Sequence, residues 1–446
     1  MIKIPLLNPY LFNKIKCLLQ QSFRYKLKSS IQRPLGERFE IIGREFIADE
    51  WTNVPRKVIE IIERNDPLFM IKDNPIYLIK KSLEKHFNDF EFFYFRDPVV
   101  DLWQNFDSIL VPKDHISRSR TDSFYVDSQH VLRSHTSAHQ SQCFRYFSDR
   151  NNDEPIKFCI VGDVYRRDEV NNTHHAIFHQ AEIVRLYSGT DFQFLSSKDM
   201  FDQSNDSRME DCQEHHRPEV IKVLESQLKS TVESYIKSLF NEEKIQMRWI
   251  PAFFPFTHPS WELEIKFSKD EQTAKWLEIL GCGVIEQKIL DRDGLSTRIG
   301  WALGLGLERI AMLKYSIPDI RLFWTKDTGF SNQFANLDPF EEYKYRPISS
   351  YPQKCFDLSF WLPSLDETKN QWSPNDVYAI ILEIGSDLVE QVHLIDQWTR
   401  ESDGRRSNCY RVVYRSHERA LTNDEVNIIH RKIEQALIEE LNVTIR

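Results

Sequence analysis

Apolar residues Ile76, Ile79, Leu83 and Phe87 recur at spacings of three and four, so Asn74 to Phe87 predicts an amphipathic helix. Pro55 to Arg64 also reads as a helix. Ile221 to Phe240 predicts a longer one, with Leu224, Leu228, Val232, Tyr235 and Leu239 on one side. Phe90 to Phe95 is aromatic and strand-like and is closed by Asp97-Pro98; Ile156 to Val161 is a second apolar strand running into Gly162. Trp261 to Lys266 alternates strictly, giving a strand with one apolar and one polar face. Residues 199–220 are polar and predict a surface insertion, and 326–350 lack periodicity and predict a linker. The last hundred or so residues repeat a different order. Strands at Cys355 to Leu362, Val392 to Trp398, Cys409 to Tyr414 and Val443 to Ile445 alternate with two helices. One helix starts at Ser373-Pro374, the other at the capping box Thr422 to Glu425. Strand, helix, strand, strand, helix, strand is the split βαβ order of a ferredoxin-like domain.

Composition narrows the class. The 446 residues exceed one ordinary core, and 41% hydrophobic with 28% charged residues is a globular balance. No apolar run approaches the roughly 18–20 residues of a membrane helix, so no membrane partner is expected. A net charge of −9 excludes a protein that coats nucleic acid through bulk positive charge. The seven cysteines contain no CxxC pair, so neither a disulfide framework nor a zinc site is expected. Residues 1–36 differ from the rest: they hold seven Lys or Arg and no acid, interleaved with apolar residues, the composition of an organellar transit peptide.

Four segments carry candidate chemistry. Gly162 to Glu169 follows a strand and places Arg166 beside Arg167, forks that match phosphate oxygens; Thr173, His174 and His175 follow. Alternation through Ile177 to Arg185 puts Phe178, Gln180 and Glu182 on one face, a ring, an amide and a carboxylate suited to a small amphiphile bearing an ammonium. Gly300 to Arg309 reads as a strand entering a helix, where glycines permit close approach of a flat ligand. Arg133 to Gln140 packs hydroxyls and imidazoles, yet no GxSxG elbow supports a hydrolase. Phe253 to Phe256 is an aromatic run that core packing alone could explain.

Taken in order, NFDSILVPKDH, LRSHTSAHQ, GDVYRRDE, FHQAE, FPFTHPSWELEI, LGCGV, GWALGLGLER and IPDIRLFW resemble the class II aminoacyl-tRNA synthetases, and within them the single-chain organellar phenylalanyl-tRNA synthetases. The resemblance runs from about residue 37 to 446. It implies an α+β chain. A class II antiparallel-sheet catalytic domain would span 37–325, a linker 326–350 and a ferredoxin-like anticodon-binding domain 351–446, behind the 1–36 transit peptide. It implies activation of L-phenylalanine by ATP with Mg²⁺, transfer to tRNA(Phe), a location in the mitochondrial matrix, with a plastid-type organelle as the alternative, and a monomer.

Residue by residue, the resemblance implies that Arg166 clamps the α-phosphate, Arg309 holds the far phosphates and His174 contacts the leaving phosphates. Asp168, Thr173, His175, Gly304 and Gly306 would complete the ATP site, with Glu262 and Glu264 holding ATP directly or through Mg²⁺. The amino acid would sit among His135, Ser137, Ala138, His139, Gln140, Gln180 and Glu182. Phe254 and Phe256 would stack with its ring at roughly 0.5–1.5 kcal/mol each, over Ala302. Asp168 departs from the family's glutamate by one methylene. Residues 400–419 carry a net +3 within a domain of net −5, so Arg405, Arg406, Arg411 and Arg415, with Tyr410, Tyr414 and Trp398 nearby, are the expected tRNA contacts. A synthetase for another amino acid would be expected to change Phe254, Phe256 or Ala302. A catalytically dead relative would be expected to lack Arg166 or Arg309, and a structural RNA-binding protein would not carry the ordered motifs.

Overall fold

The computed structural model describes residues 33–446 apart from 65, 151–153, 168–171, 193–199, 203, 241–244, 268–275, 364–373, 386, 387 and 417. The expected transit peptide up to residue 32, Asp168 and the Ser373 cap therefore lie outside the described residues. The chain forms two units. One holds residues up to 324 together with 334–345, the other 325–333 with 346–446.

The first unit opens with a hairpin, β1 (Arg38–Ile41) and β2 (Arg44–Ile47), and two helices, α1 (Arg56–Arg64) and α2 (Pro75–His86). Asn74 caps α2 by accepting from the Ile76 amide, and Pro75 stands at its first turn. Next come β3 (Glu91–Tyr94), β4 (Val99–Asp101), α3 (Leu102–Asn105), β5 (His130–Leu132) and α4 (Gln140–Ser148). The long strands follow: β6 (Ile156–Tyr165), β7 (Ile177–Tyr187), then α5 (Pro218–Leu239), β8 (Ile245–Phe254), β9 (Thr257–Phe267), β10 (Leu277–Ile285), α6 (Gln287–Arg292), β11 (Ile299–Gly306) and α7 (Leu307–Tyr315). They build a seven-stranded sheet in the order β3-β6-β7-β11-β10-β9-β8, antiparallel except for the β3–β6 pair.

Alternation decides the two faces of this sheet. Ala181, Ile183, Leu263, Leu303 and Leu305 are buried on one face, and α5 packs on β10 and β11 while α7 packs on β7. The opposite face is closed at one end by Phe144 of α4 and Leu290 of α6 over Phe158, Val184 and Leu186. The rest of that face stays open and carries Gln180, Glu182, Ala302 and Gly304.

Of segment 199–220, expected as a surface insertion, residues 204 and 206–211 are exposed, while Cys212, Gln213 and His216 are buried. Gln213 is buried and donates to the carbonyls of His258 (2.7 Å) and Ile285 (3.0 Å), and its Oε1 accepts from the Gln287 amide (2.8 Å). Gln213 thus ties the start of β9 to the end of β10. The segment 326–350, expected as a linker, is divided between the two units. Phe330 is buried in the second unit; Phe334 and Tyr345 are buried in the first, Phe334 edge-on to Tyr315 at 5.4 Å. Aromatic anchors spaced without period fix a segment that periodicity does not reveal. At the other end, residues 33–36 pack with the hairpin: Arg33 pairs with Glu37 at 2.9 Å, and the Gly36 amide donates to Ala48 O at 2.7 Å.

The second unit contains α8 (Thr328–Ser331), β12 (Lys354–Trp361), α9 (Pro374–Gly385), β13 (Val389–Thr399), β14 (Arg406–Tyr414), α10 (Asn423–Leu441) and β15 (Thr444–Ile445). Its sheet order, β13-β14-β12-β15, is that of the ferredoxin-like fold. Leu358, Phe360, Tyr410 and Val412 from the sheet bury against Val377, Ile381, Val426 and Ile433 from the helices. Thr422 and Glu425 form the expected reciprocal cap of α10.

Candidate active site

The open sheet face holds a cavity of about 460 Å³ within the first unit. One wall is the segment Ser134 to Ser137, which follows a buried arginine. Arg133 is fully buried. Its Nε donates to Asp163 O (2.6 Å), its Nη2 to Asp163 Oδ1 (2.6 Å) and its Nη1 to Asp97 O (2.9 Å). A buried charge persists only when paired and hydrogen-bonded in this way. Asn105, also fully buried, grips the next residue at both ends: Nδ2 donates to Ser134 Oγ (2.7 Å), and Oδ1 accepts from the Ser134 amide (3.0 Å). The Ser134 carbonyl then accepts from Arg166 Nε (2.9 Å), and the Arg166 guanidinium lies 5.2 Å from the centre of the Phe178 ring. Arg166 is thereby held on the cavity lining.

The floor comes from β7 and β11. Gln180 Oε1 accepts from the Thr136 amide at 3.3 Å, and Glu182 Oε1 accepts from Gln140 Nε2 at 2.8 Å. Burial pushes the Glu182 carboxyl up to about 7, against the opposing pull of Ser137, Gln140 and Thr136. Burial and then the Arg166 charge press His135 down to about 3, so its ring is neutral at working pH. Phe254 and Phe256 stack with centroids 5.7 Å apart, and Ala302 lies on the same lining. Gly281 makes room for this pair, since a Cβ there would meet the Phe254 ring at 2.7 Å. Gly304 differs: a Cβ there would meet no atom within 4 Å and would project into open space.

Of the residues singled out from sequence, the cavity brings together His135, Ser137, Arg166, Gln180, Glu182, Phe254, Phe256, Ala302 and Gly304. Others lie elsewhere. Ala138 is core. His139 is not in the cavity: its ring stacks on Phe95 at 4.0 Å and its Nε2 sits 3.0 Å from Arg133 Nη1, because the buried arginine recruits it. Gln140 is buried outside the cavity lining, and its Nε2 donates to Glu182. Thr173 and His174 are exposed and bond each other at 3.0 Å, while His175 stacks on Trp324 at 5.4 Å. Gly306 is the last residue of β11, and Arg309, in α7, donates to Glu278 O at 2.6 Å. The sequence reading missed Asn105, Ser134 and Thr136, although all three stand inside motifs it had quoted. It also missed Glu278, which nothing in the sequence marks.

The carboxylates Glu262, Glu264 and Glu278 come from adjacent strands. Burial, then the charges of Glu278 and Glu264, hold the Glu262 carboxyl above its ordinary range. Glu264 is committed to Arg248, with Oε2 accepting from Nε at 2.6 Å. Among the described residues no group of three His, Cys, Asp or Glu could hold a metal ion. The like-charged Glu262 and Glu278 fit a cation whose remaining ligands are phosphate and water, which suits Mg²⁺.

On the second unit the expected tRNA contacts divide. Arg415 is 3% exposed, with Nη2 2.5 Å from Asp327 Oδ2, Nε 3.1 Å from Glu390 Oε2 and Nη1 donating to Ser349 O at 3.0 Å; it is no surface contact. Tyr410 and Tyr414 are core residues, because alternation in β14 turns them inward. Arg411 is exposed but doubly bonded to Asp357 at 2.7 and 2.8 Å. Arg406 and Trp398 remain exposed at the hairpin end, and Arg405 lies 5.3 Å from the Trp361 ring centre.

A largely antiparallel seven-stranded sheet with an open, arginine-bearing face, together with a ferredoxin-like second unit, is the architecture of a class II tRNA synthetase. Family models agree: tRNA synthetases class II core domain (F) matches residues 60–210 and 219–334, and ferredoxin-fold anticodon binding domain matches 349–446. The chain is 41% identical to the phenylalanine–tRNA ligase, mitochondrial, of Mus musculus, across 93% of this chain and 90% of that protein. It is 39% identical to the probable mitochondrial enzyme of Drosophila melanogaster (97% and 96% covered) and 35% identical to that of Saccharomyces cerevisiae (95% and 97%). The chain belongs to the mitochondrial phenylalanine–tRNA ligase family.

Proposed function

We propose that this protein condenses L-phenylalanine with ATP to phenylalanyl adenylate and pyrophosphate, then passes the acyl group to the 2′-hydroxyl of the terminal ribose of tRNA(Phe), in the mitochondrial matrix and as a monomer. The observation that carries the reading is the convergence in one cavity of the Phe254–Phe256 stack over Ala302, the Gln180–Glu182 pair and Arg166. The rings and Ala302 take the benzyl side chain. A tyrosine hydroxyl would be buried there without a partner, which disfavours it. Glu182 and Gln180 hold the ammonium. The amino acid's carboxylate then attacks the α-phosphorus, where Arg166 stabilises the charge that builds on the phosphate oxygens as pyrophosphate leaves. Arg309, bonded to Glu278 of the cavity lining, and the exposed His174 would meet the leaving phosphates where they project from the cavity. Magnesium arriving with ATP would be held by Glu262 and Glu278 and would neutralise phosphate charge. Charging of tRNA(Phe) by the purified chain, and of no other tRNA, tests the overall reading; charging of a different tRNA would reject it.

The buried carboxyl sets a pH dependence. Below about 7 Glu182 takes up a proton and cannot pair with an ammonium. The KM for phenylalanine is therefore expected to rise as pH falls from 8 to 6, approaching tenfold per unit for one linked proton. Glu182→Gln should raise KM and flatten its pH profile. A wild-type KM that is constant from pH 6 to 8 would contradict the assignment.

For tRNA, the exposed hairpin end replaces the buried Arg415. Arg405→Ala with Arg406→Ala is expected to raise the KM for tRNA(Phe) and to flatten its salt dependence, since each phosphate contact contributes to the slope. Pyrophosphate exchange should be unchanged. Equal KM values for wild type and the double variant at two salt concentrations would refute this surface.

A further inference from the structure

Phe253 is 78% exposed, the most exposed large apolar side chain among the described residues; Ile116, at 64%, is exceeded only by it and Leu35. Both line the catalytic cavity. Exposure of single apolar side chains is ordinary, but these two are presented on fixed backbone. The β8–β9 register slips between Ala252, paired with Ser260, and Phe254, paired with Thr257, so Phe253 stands at a ladder irregularity. Such irregularities re-aim a side chain and recur beside active sites. Ile116 starts a short 3₁₀ turn that is fastened on several sides. Tyr125 Oη donates to Arg118 O (2.6 Å), Ser123 Oγ to Ser117 O (2.6 Å) and Arg118 Nε to Pro112 O (2.9 Å). Neither side chain owes its position to a loose loop.

The interior of the cavity is accounted for by the amino acid and the α-phosphate. The third reactant must enter through the same opening, because its ribose hydroxyl attacks the adenylate made inside. We propose that Phe253, with Ile116 on the same cavity lining, is the docking platform for the terminal base of the tRNA acceptor strand. Unpaired bases stack on exposed aromatic rings without hydrogen-bond readout, and the flat base covers apolar surface that adenylation leaves bare. This assignment rests on the reading that the chain charges tRNA.

The test separates the two half-reactions. In Phe253→Ala, and to a lesser degree Ile116→Ala, pyrophosphate exchange should keep its KM values for ATP and phenylalanine within about twofold. Transfer from preformed enzyme-bound adenylate to tRNA(Phe), followed in single turnover at subsaturating tRNA, should slow by about 5- to 150-fold, the factor that corresponds to one base–aromatic stack. Phe253→Trp should retain the wild-type rate. A tRNA whose terminal nucleotide lacks its base should lose the same factor with wild type and almost nothing further with Phe253→Ala. A raised KM for ATP in the exchange assay would reassign the ring to the nucleotide. An equal penalty from the missing base in wild type and variant would overturn the platform. Wild type that exchanges pyrophosphate but charges no tRNA would instead reject the reading on which the platform rests.

Discussion

Arg166→Ala is expected to lower phenylalanine-dependent pyrophosphate exchange by about 10³-fold or more. Removing one preorganised donor from a developing oxyanion costs about 10²–10³-fold in a comparable setting, and Arg166 supplies a charge as well as donors. Its position depends on its neighbours, through the bond to the Ser134 carbonyl and the stack on Phe178. The reverse dependence is small: Ser134 is gripped independently by Asn105. The variant should therefore melt close to wild type and should still bind tRNA. Arg166→Lys should fall between the two, because lysine keeps the charge and loses the planar fork. Exchange in Arg166→Ala within tenfold of wild type would remove the residue from the reaction.

The second large effect is structural. Arg415→Ala leaves Asp327 and Glu390 facing each other without their cation. Breaking a buried ion pair from one side costs about 3–5 kcal/mol, far more than an exposed pair is worth. At roughly 4–8 °C per kcal/mol for a domain of this size, the melting transition of the second unit should fall by about 10 °C or more. Amide exchange should quicken through 325–333 and 346–446. Neutralising all three groups together, as Arg415→Met with Asp327→Asn and Glu390→Gln, should recover most of the loss. An unchanged melting temperature with weakened, less salt-dependent tRNA binding would restore Arg415 to the RNA surface.

Periodic features were readable from the chain. The α2 and α5 faces, the β9 alternation and the order of the last domain all follow from spacings of 2, 3 and 4, which local geometry imposes. The Gln180–Glu182 face was readable for the same reason. Arg415 was misplaced because composition counts charges without their partners: its acids, Asp327 and Glu390, lie 88 and 25 positions away in sequence. Asn105 and Arg133 escaped because their work is to hold backbone, and no residue type announces that. His139 looked like a ligand residue until the buried Arg133 was found to claim it. The anchoring of 326–350 rests on single aromatic residues, which leave no period to detect.

ATP–pyrophosphate exchange with each of the twenty amino acids, using the full chain, tests the central claim most directly. Exchange supported by phenylalanine alone is the result expected from a cavity in which Phe254, Phe256, Ala302, Glu182 and Arg166 converge. Exchange with a different amino acid, or with none from folded protein, would contradict it.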